Sequence, residues 1–164
     1  MVMDLKSVFE ISGSCEKFSC ELSPEELALP EDRELERAVE IEGRVTNTAG
    51  IVEIEYVADF CLKYHCDRCL KEGKKKFSFS FRHTLTMELN DENDDGYIVV
   101  GNGMLDVTEL SAEDIILEIP VLLLCKSGCK GLCQKCGADL NEGDCGCAVR
   151  EIDPRLQKLK DLLN

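Results

Sequence analysis

The chain is short of positive charge, of aromatic residues and of long apolar runs. Its 164 residues hold 19 Lys and Arg against 33 Asp and Glu, a formal net charge of −14, and no Trp. Such an excess argues against binding nucleic acid with the whole surface, since phosphates would be repelled. The opening residues, MVMDLKSVFE, lack the apolar stretch of a secretory signal. The longest unbroken apolar run, Val121 to Cys125, is far too short to span a bilayer. A cytoplasmic chain with reduced thiols is therefore expected. Also missing are a Ser-His-Asp or Cys-His pairing, a phosphate-binding glycine loop, a convincing carboxylate pair and the EF-hand spacing. No enzyme and no small-molecule substrate are expected.

What the chain does have is cysteine. Six of its 11 cysteines lie between Leu124 and Cys147, in the pattern C-x3-C-x3-C-x2-C-x8-C-x-C, among glycines and three lysines, Lys126, Lys130 and Lys135. With so few apolar side chains, packing alone is not expected to hold this knuckle. Thiols paired at short gaps suit a metal ion, since CxxC lets two thiolates reach one tetrahedral zinc from a tight turn. Cys133 and Cys136, with Cys145 and Cys147 as the returning pair, form the first expected site. Cys66 and Cys69, with Cys125 and Cys129, form a second if the Val121–Leu124 run brings the knuckle beside the first pair. The alternative is one site built from Cys66, Cys69, Cys133 and Cys136, with the rest free. Iron–sulfur ligation uses the same residues. A redox role for Cys66 and Cys69 lacks the βαβ context of thioredoxin. Cys15, Cys20 and Cys61 fit no site and read as small buried hydrophobes. His65 is a possible substitute ligand, and His83, in register with Phe81 and Leu85, reads as a satisfied core histidine.

The rest reads as the scaffold. Lys6–Ile11 suggests an edge strand. Ser23-Pro24-Glu25-Glu26 has the chemistry of a helix start, which Pro30 ends; the EDRELER run that follows reads as a solvated loop or helix surface. Val39–Val45 and Val52–Ala58 alternate apolar and charged residues around Asn47–Gly50, predicting a hairpin with one wet face. The second strand runs on through Leu62 and Tyr64, placing Cys66-Asp67-Arg68-Cys69 at a hairpin tip. A basic turn over Lys71–Lys76 and a long alternating strand from Phe77 to Leu89 follow. An acidic loop over Asn90–Gly96, short strands at Tyr97–Val100 and Met104–Val107, a helix capped by Ser111 and ended by Pro120, and a last helix from Pro154 with Leu156, Leu159 and Leu163 complete the reading. Val121–Leu124 is too uniformly apolar to be expected at the surface.

The fold class is α+β: an antiparallel, curved or barrel-like sheet with a few short helices and a C-terminal zinc knuckle. The expected parts are a sheet domain over residues 1–124, the knuckle over 125–150 and a helix over 151–164 packing on the domain. Positive charge gathers at the thiols: residues 84–124 carry ten acidic groups and no Lys or Arg, while 125–136 carry three lysines and no acid. Lys63, Arg68, Lys71, Lys74, Lys75, Lys76, Lys126, Lys130 and Lys135 either offset the charge of metal-bound thiolates or meet phosphates.

The order of these motifs resembles the YceD family, known as large ribosomal RNA subunit accumulation proteins. The likeness rests on Cys-Asp-Arg-Cys-Leu after an alternating strand, an acidic loop, a helix ending Ile-Pro, the run Cys-x3-Cys-Lys-Gly-Leu-Cys-x2-Cys-Gly-Ala-Asp-Leu-Asn-x3-Cys-x-Cys, and Asp-Pro-Arg. It implies a non-enzymatic cytoplasmic role in accumulating or processing large-subunit ribosomal RNA; the charge of −14 requires that the basic tip and knuckle meet that RNA or that the partner is a basic ribosomal protein. The family's cysteine pairs fall on Cys66, Cys69, Cys125, Cys129, Cys133, Cys136, Cys145 and Cys147.

Overall fold

The computed structural model describes residues 1–88 and 96–147. Residues 90–95 of the expected acidic loop, Leu89 at the end of the expected strand, and the expected C-terminal helix lie outside them. The centre of the fold is the pair β5 (Ile51–His65) and β6 (Glu72–Thr86), antiparallel from Val52↔Leu85 to His65↔Glu72. Every even residue of β5 from Val52 to Tyr64 is buried, and the odd ones face outward. That strict alternation is why the hairpin and its wet face are legible in the sequence. β6 begins at Glu72, so Lys74, Lys75 and Lys76, expected in a turn, lie on a strand, and only Lys71 stays in the turn.

β4 (Val39–Thr48) pairs with the first half of β5, and the short β3 (Arg33–Leu35) takes over beside Leu62–Tyr64. β2 (Cys15–Leu22) lies outside β4, and β7 (Tyr97–Val99) runs parallel to β6 on the other flank. The order β2-β4-β5-β6-β7 is open at both ends, so the sheet does not close into a barrel. A separate pair, β1 (Val2–Asp4) with β8 (Met104–Asp106), leads into the helix α2 (Val107–Glu118).

Several expectations are corrected. Lys6–Glu10 is one helical turn, α1, because Leu5, Val8 and Phe9 sit at helical spacing and turn inward together. Ser23 and Glu26 form only half of the box: the Ser23 N–H and hydroxyl donate to the Glu26 carboxylate at 2.8 and 2.7 Å, while the Glu26 N–H meets the Ser23 carbonyl (3.1 Å). The chain makes only a turn there, for Leu27 is buried at once and Pro30 follows. The EDRELER run supplies β3, since Leu35 fills the core below Leu62. The cap of α2 is Asp106, whose carboxylate accepts from the Thr108 N–H (3.0 Å). Ser111 lies a turn inside and donates back to the Val107 carbonyl at 2.6 Å. As the Ile-Pro pair predicts, the helix stops at Glu118.

A polar clasp joins α2 to the sheet. Asp114 accepts from the Tyr56 hydroxyl and lies 2.6 Å from His83 Nε2. His83 is thus half-buried and satisfied, and burial first, with Asp114 second, pushes the Tyr56 phenol far up. Asp114→Ala leaves both partners facing an apolar surround. A loss of about 1–3 kcal/mol in unfolding free energy is expected, read from urea denaturation, with Asp114→Asn milder.

Candidate metal centre

The tip of the β5–β6 hairpin is a tight turn in which the Cys66 N–H meets the Lys71 carbonyl at 2.9 Å and the Leu70 N–H meets the Cys66 carbonyl at 2.8 Å. Leu70 stands at φ 59°, a left-handed conformation costing about 1–2 kcal/mol for a residue with a Cβ. This turn aims Cys66 and Cys69 to one side. Two more thiols arrive from the knuckle: Cys129 Sγ lies 3.8 Å from Cys66 Sγ, and Cys125 Sγ lies 3.6 Å from Cys69 Sγ.

Backbone contacts bring them there. Asp67 ties the tip to Leu123 in both directions, its N–H donating to the Leu123 carbonyl (3.0 Å) and its carboxylate accepting from the Leu123 N–H. The Arg68 guanidinium donates to the Cys129 carbonyl (2.8 Å), and the Leu132 N–H donates to the Arg68 carbonyl (3.0 Å). Gly131, at φ 76°, passes so near that a Cβ there would lie 2.8 Å from the Arg68 carbonyl oxygen. Arg33 holds the carbonyls of Pro120 and Val121 at 3.1 and 2.6 Å. With the backbone so fixed, Leu123 is buried and Leu124 packs, partly buried, against the inner cysteines. Val121 is 88% and Leu122 55% exposed, contrary to the expectation from their apolar character.

The second group follows at once. The sulfurs of Cys133, Cys136, Cys145 and Cys147 converge within 4.8 Å of one another, as do those of Cys66, Cys69, Cys125 and Cys129. Cys133 donates its N–H to the Ala138 carbonyl (2.8 Å) and accepts at its own carbonyl from Gly137 (2.8 Å), with Gly137 at φ 73° making the return. The inner group is largely buried and the outer one more accessible. Cys66 and Cys69 therefore do not meet Cys133 and Cys136 in one group. Exposed His65 faces Glu72 and joins neither group. Cys15 is exposed, and Cys20 and Cys61 are half-buried, so Cys15 is no core hydrophobe.

The donor sets fit a single ion each. Four thiolates around a tetrahedral ion at about 2.3 Å stand about 3.8 Å apart, close to the pairs in the inner group. All eleven cysteines are free thiols. Ionisation is uneven within each set. Burial raises Cys66, but N–H groups of Cys125, Arg68 and Cys69 outweigh it and bring the thiol to about 6. The N–H groups of Cys136 and Lys135 bring Cys133 to about 6. The Asn141 amide, donating to the Cys129 sulfur at 3.4 Å, is the main cause of its lowering. Burial and the neighbouring thiols push Cys125 up to about 12, and its thiol neighbours do the same to Cys147. A divalent cation at each centre relieves the repulsion between thiolates that these values reflect.

The basic residues divide in two. Lys63 pairs with Glu34 (3.6 Å), Lys74 with Glu36, and Lys71 with both Asp139 (2.7 Å) and Glu142 (3.0 Å). Lys75 lies over the Phe77 ring, and Arg68 is committed to Cys129. Lys76, Lys126, Lys130 and Lys135 are exposed and form no ion pair with the described residues. Asp67, Asp139 and Asn141, which position the thiols, are absent from the expected site. Their one signal is a short polar side chain beside each cysteine pair, of the type that bonds to nearby backbone.

A family model described as "Large ribosomal RNA subunit accumulation protein YceD" matches residues 54–163. The chain belongs to the YceD family. The matched region takes in both cysteine groups and most of the β5–β6 hairpin. Protein YlbN of Bacillus subtilis is 28% identical over 130 residues, 76% of this chain and 74% of that protein. A chloroplastic large ribosomal RNA subunit accumulation protein YCED homolog of Arabidopsis thaliana is 41% identical over 49 residues, 30% of this chain and 15% of that protein. An uncharacterised protein of Mycobacterium tuberculosis is 29% identical over 104 residues, 60% of this chain and 49% of that protein. The chain thus spans a minor part of the plant relative and about half of the mycobacterial one. No solved structure matches it. The YceD name describes the accumulation of an RNA and not a reaction. No helix among the described residues is long and apolar enough to cross a membrane.

Two divalent ions per chain are expected from elemental analysis of the purified protein. Cys69→Ser and Cys136→Ser should each remove one. Protons compete for the thiolates, so both ions should be lost on acidification and retained as pH rises from neutral.

Proposed function

We propose that the chain is a non-enzymatic cytoplasmic factor promoting accumulation or processing of large-subunit (23S) ribosomal RNA, with a structural zinc ion in each cysteine group. Membership of the YceD family carries this reading. Zinc suits an all-thiolate set with no open position, and structural zinc contributes about 10–16 kcal/mol of apparent binding free energy, enough to order a segment poor in apolar side chains.

For a protein of net charge −14, contact with RNA has to be local. Lys126, Lys130 and Lys135, all on the cysteine module and outside any described ion pair, are the proposed contact, and Lys76, farther along β6 opposite Cys61, is a further candidate. Lys63 and Lys74 are occupied by Glu34 and Glu36 at the flanking strand, and Lys71 by Asp139 and Glu142 of the module, so their first role on this reading is to hold the scaffold together. Lys75 and Arg68 belong with them.

A second reading has its own observation. Glu21, Glu40 and Asp59 stand directly opposite one another across β2, β4 and β5 on the exposed face, with Glu42 beside them. Like charges so placed oppose strand pairing and suit a basic partner. On that reading the chain is a zinc-stabilised adaptor for a basic ribosomal protein.

The two readings separate in one binding experiment. Changing Lys126, Lys130 and Lys135 together to Gln should weaken binding to a large-subunit RNA transcript. It should also flatten the slope of log affinity against log salt by about 2–3, near one unit per phosphate contact. Lys74→Gln should change little. If the lysine variant binds as before, while Glu21→Gln with Glu40→Gln and Asp59→Asn abolishes binding to a basic ribosomal protein, the adaptor reading replaces this one.

A further inference from the structure

The two cysteine groups are not independent neighbours. Residues 137–144 link the second and third thiols of the outer group, Cys136 and Cys145. The same residues fold back over the inner group. The Leu140 N–H donates to the Gly131 carbonyl (3.0 Å), and Leu132 and Asp139 form an antiparallel bridge. This places Asn141 against Cys129, an inner-group cysteine that is 1% exposed.

The Asn141 amide is fixed on each side. Its Oδ1 accepts from the Lys130 N–H at 3.0 Å, and a backbone N–H can only face an oxygen. Its Nδ2 donates to Asp139 Oδ1 at 2.7 Å, which leaves the other N–H on Cys129 Sγ at 3.4 Å. Asp139 is itself held by the Asn141 N–H (2.8 Å) and by Lys71, two residues beyond Cys69. A closed circuit therefore runs from Cys69 through Lys71, Asp139 and Asn141 to Cys129. It begins and ends on inner-group ligands, while its middle lies in the loop that the outer group must close.

We propose that Asn141 couples the two metal sites, so that filling the outer group tightens the inner one and the reverse. An ion on Cys133, Cys136, Cys145 and Cys147 fixes both ends of the 137–144 loop. The fixed loop keeps the amide donor on Cys129 Sγ, which holds that sulfur in the position where it meets the inner ion. Coupling of this kind is reciprocal by thermodynamic necessity. Asn141 is a positioning residue here, acting on the ion through Cys129. The inference rests on the reading that each group takes a divalent ion.

The test uses the full-length chain, stripped of metal under reducing conditions and titrated with zinc against a competing chelator. Three constants are measured: the overall two-ion constant of the parent chain, the inner constant in Cys133→Ser/Cys136→Ser, and the outer constant in Cys66→Ser/Cys69→Ser. The two-ion constant should exceed the product of the single-site constants by about 10- to 100-fold, the range that a group supporting a metal ligand commands. The cycle is then repeated on Asn141→Asp, which keeps an acceptor for Lys130 and removes both donated N–H groups. There the excess should fall to about one, and any folding defect common to the cysteine variants cancels between the two cycles. Equality of the two-ion constant and the product in the parent chain would overturn the coupling, as would an excess that survives in Asn141→Asp. A chain that binds zinc at neither group would instead remove the metal reading itself.

Discussion

Everything at the functional end depends on four sulfur atoms from two distant stretches closing on one point. Cys66 and Cys69 ride on the longest hairpin of the sheet, and Cys125 and Cys129 enter more than fifty residues later. Residues 124–147 hold few apolar side chains, so their position follows from hydrogen bonds and from the thiols. Asp67, Arg68 and Arg33 supply the bonds, each a side chain of the hairpin or its flanking strand that reaches backbone of the incoming chain. Long β5 and β6 strands matter for the same reason: they carry the tip clear of the core to where the knuckle can meet it.

Charge is organised around that junction. The chain is acidic as a whole, and its sheet carries a row of opposed carboxylates on the outer face. Lysines near the tip are matched by Glu34, Glu36, Asp139 and Glu142, which makes them part of the scaffold. Depression of the Asp139 carboxyl to about 2, chiefly by Lys71, keeps that tie ionised across the physiological range. Its stabilising effect is complete above the ordinary carboxylate pKa and fades only as pH falls toward 2. Among the described residues, Lys126, Lys130 and Lys135 of the cysteine module point outward with no ion pair, as does Lys76 on β6.

Much of this was legible in the chain. Alternation over fifteen residues of β5 admits one reading, because a single register slip would bury Glu53, Glu55 and Asp59. Pro120 marked the end of α2 for a reason local to the backbone. Short elements were harder. Lys6–Glu10 and Arg33–Leu35 have too few residues for their periodicity to decide between helix, strand and loop, and contacts with Leu62 and the core settled them. Val121 and Leu122 looked like core by composition, yet their side chains point out because Arg33 and Asp67 fix the backbone.

The sequence by itself determined the central strands β4, β5 and β6, the tip and the eight paired thiols, since alternation and CxxC spacing act over a few residues and need no partner. Only the tertiary structure decided how those thiols divide into two sets. Spacing along the chain allows Cys66 and Cys69 to meet either half of the knuckle, and the choice is made by contacts such as Asp67 with Leu123 that span more than fifty residues. It also decided which lysines are occupied, because an ion pair depends on a carboxylate brought near by folding. Asn141, only one short polar residue among several near the cysteines, acquires a role when the loop it sits on is laid across Cys129.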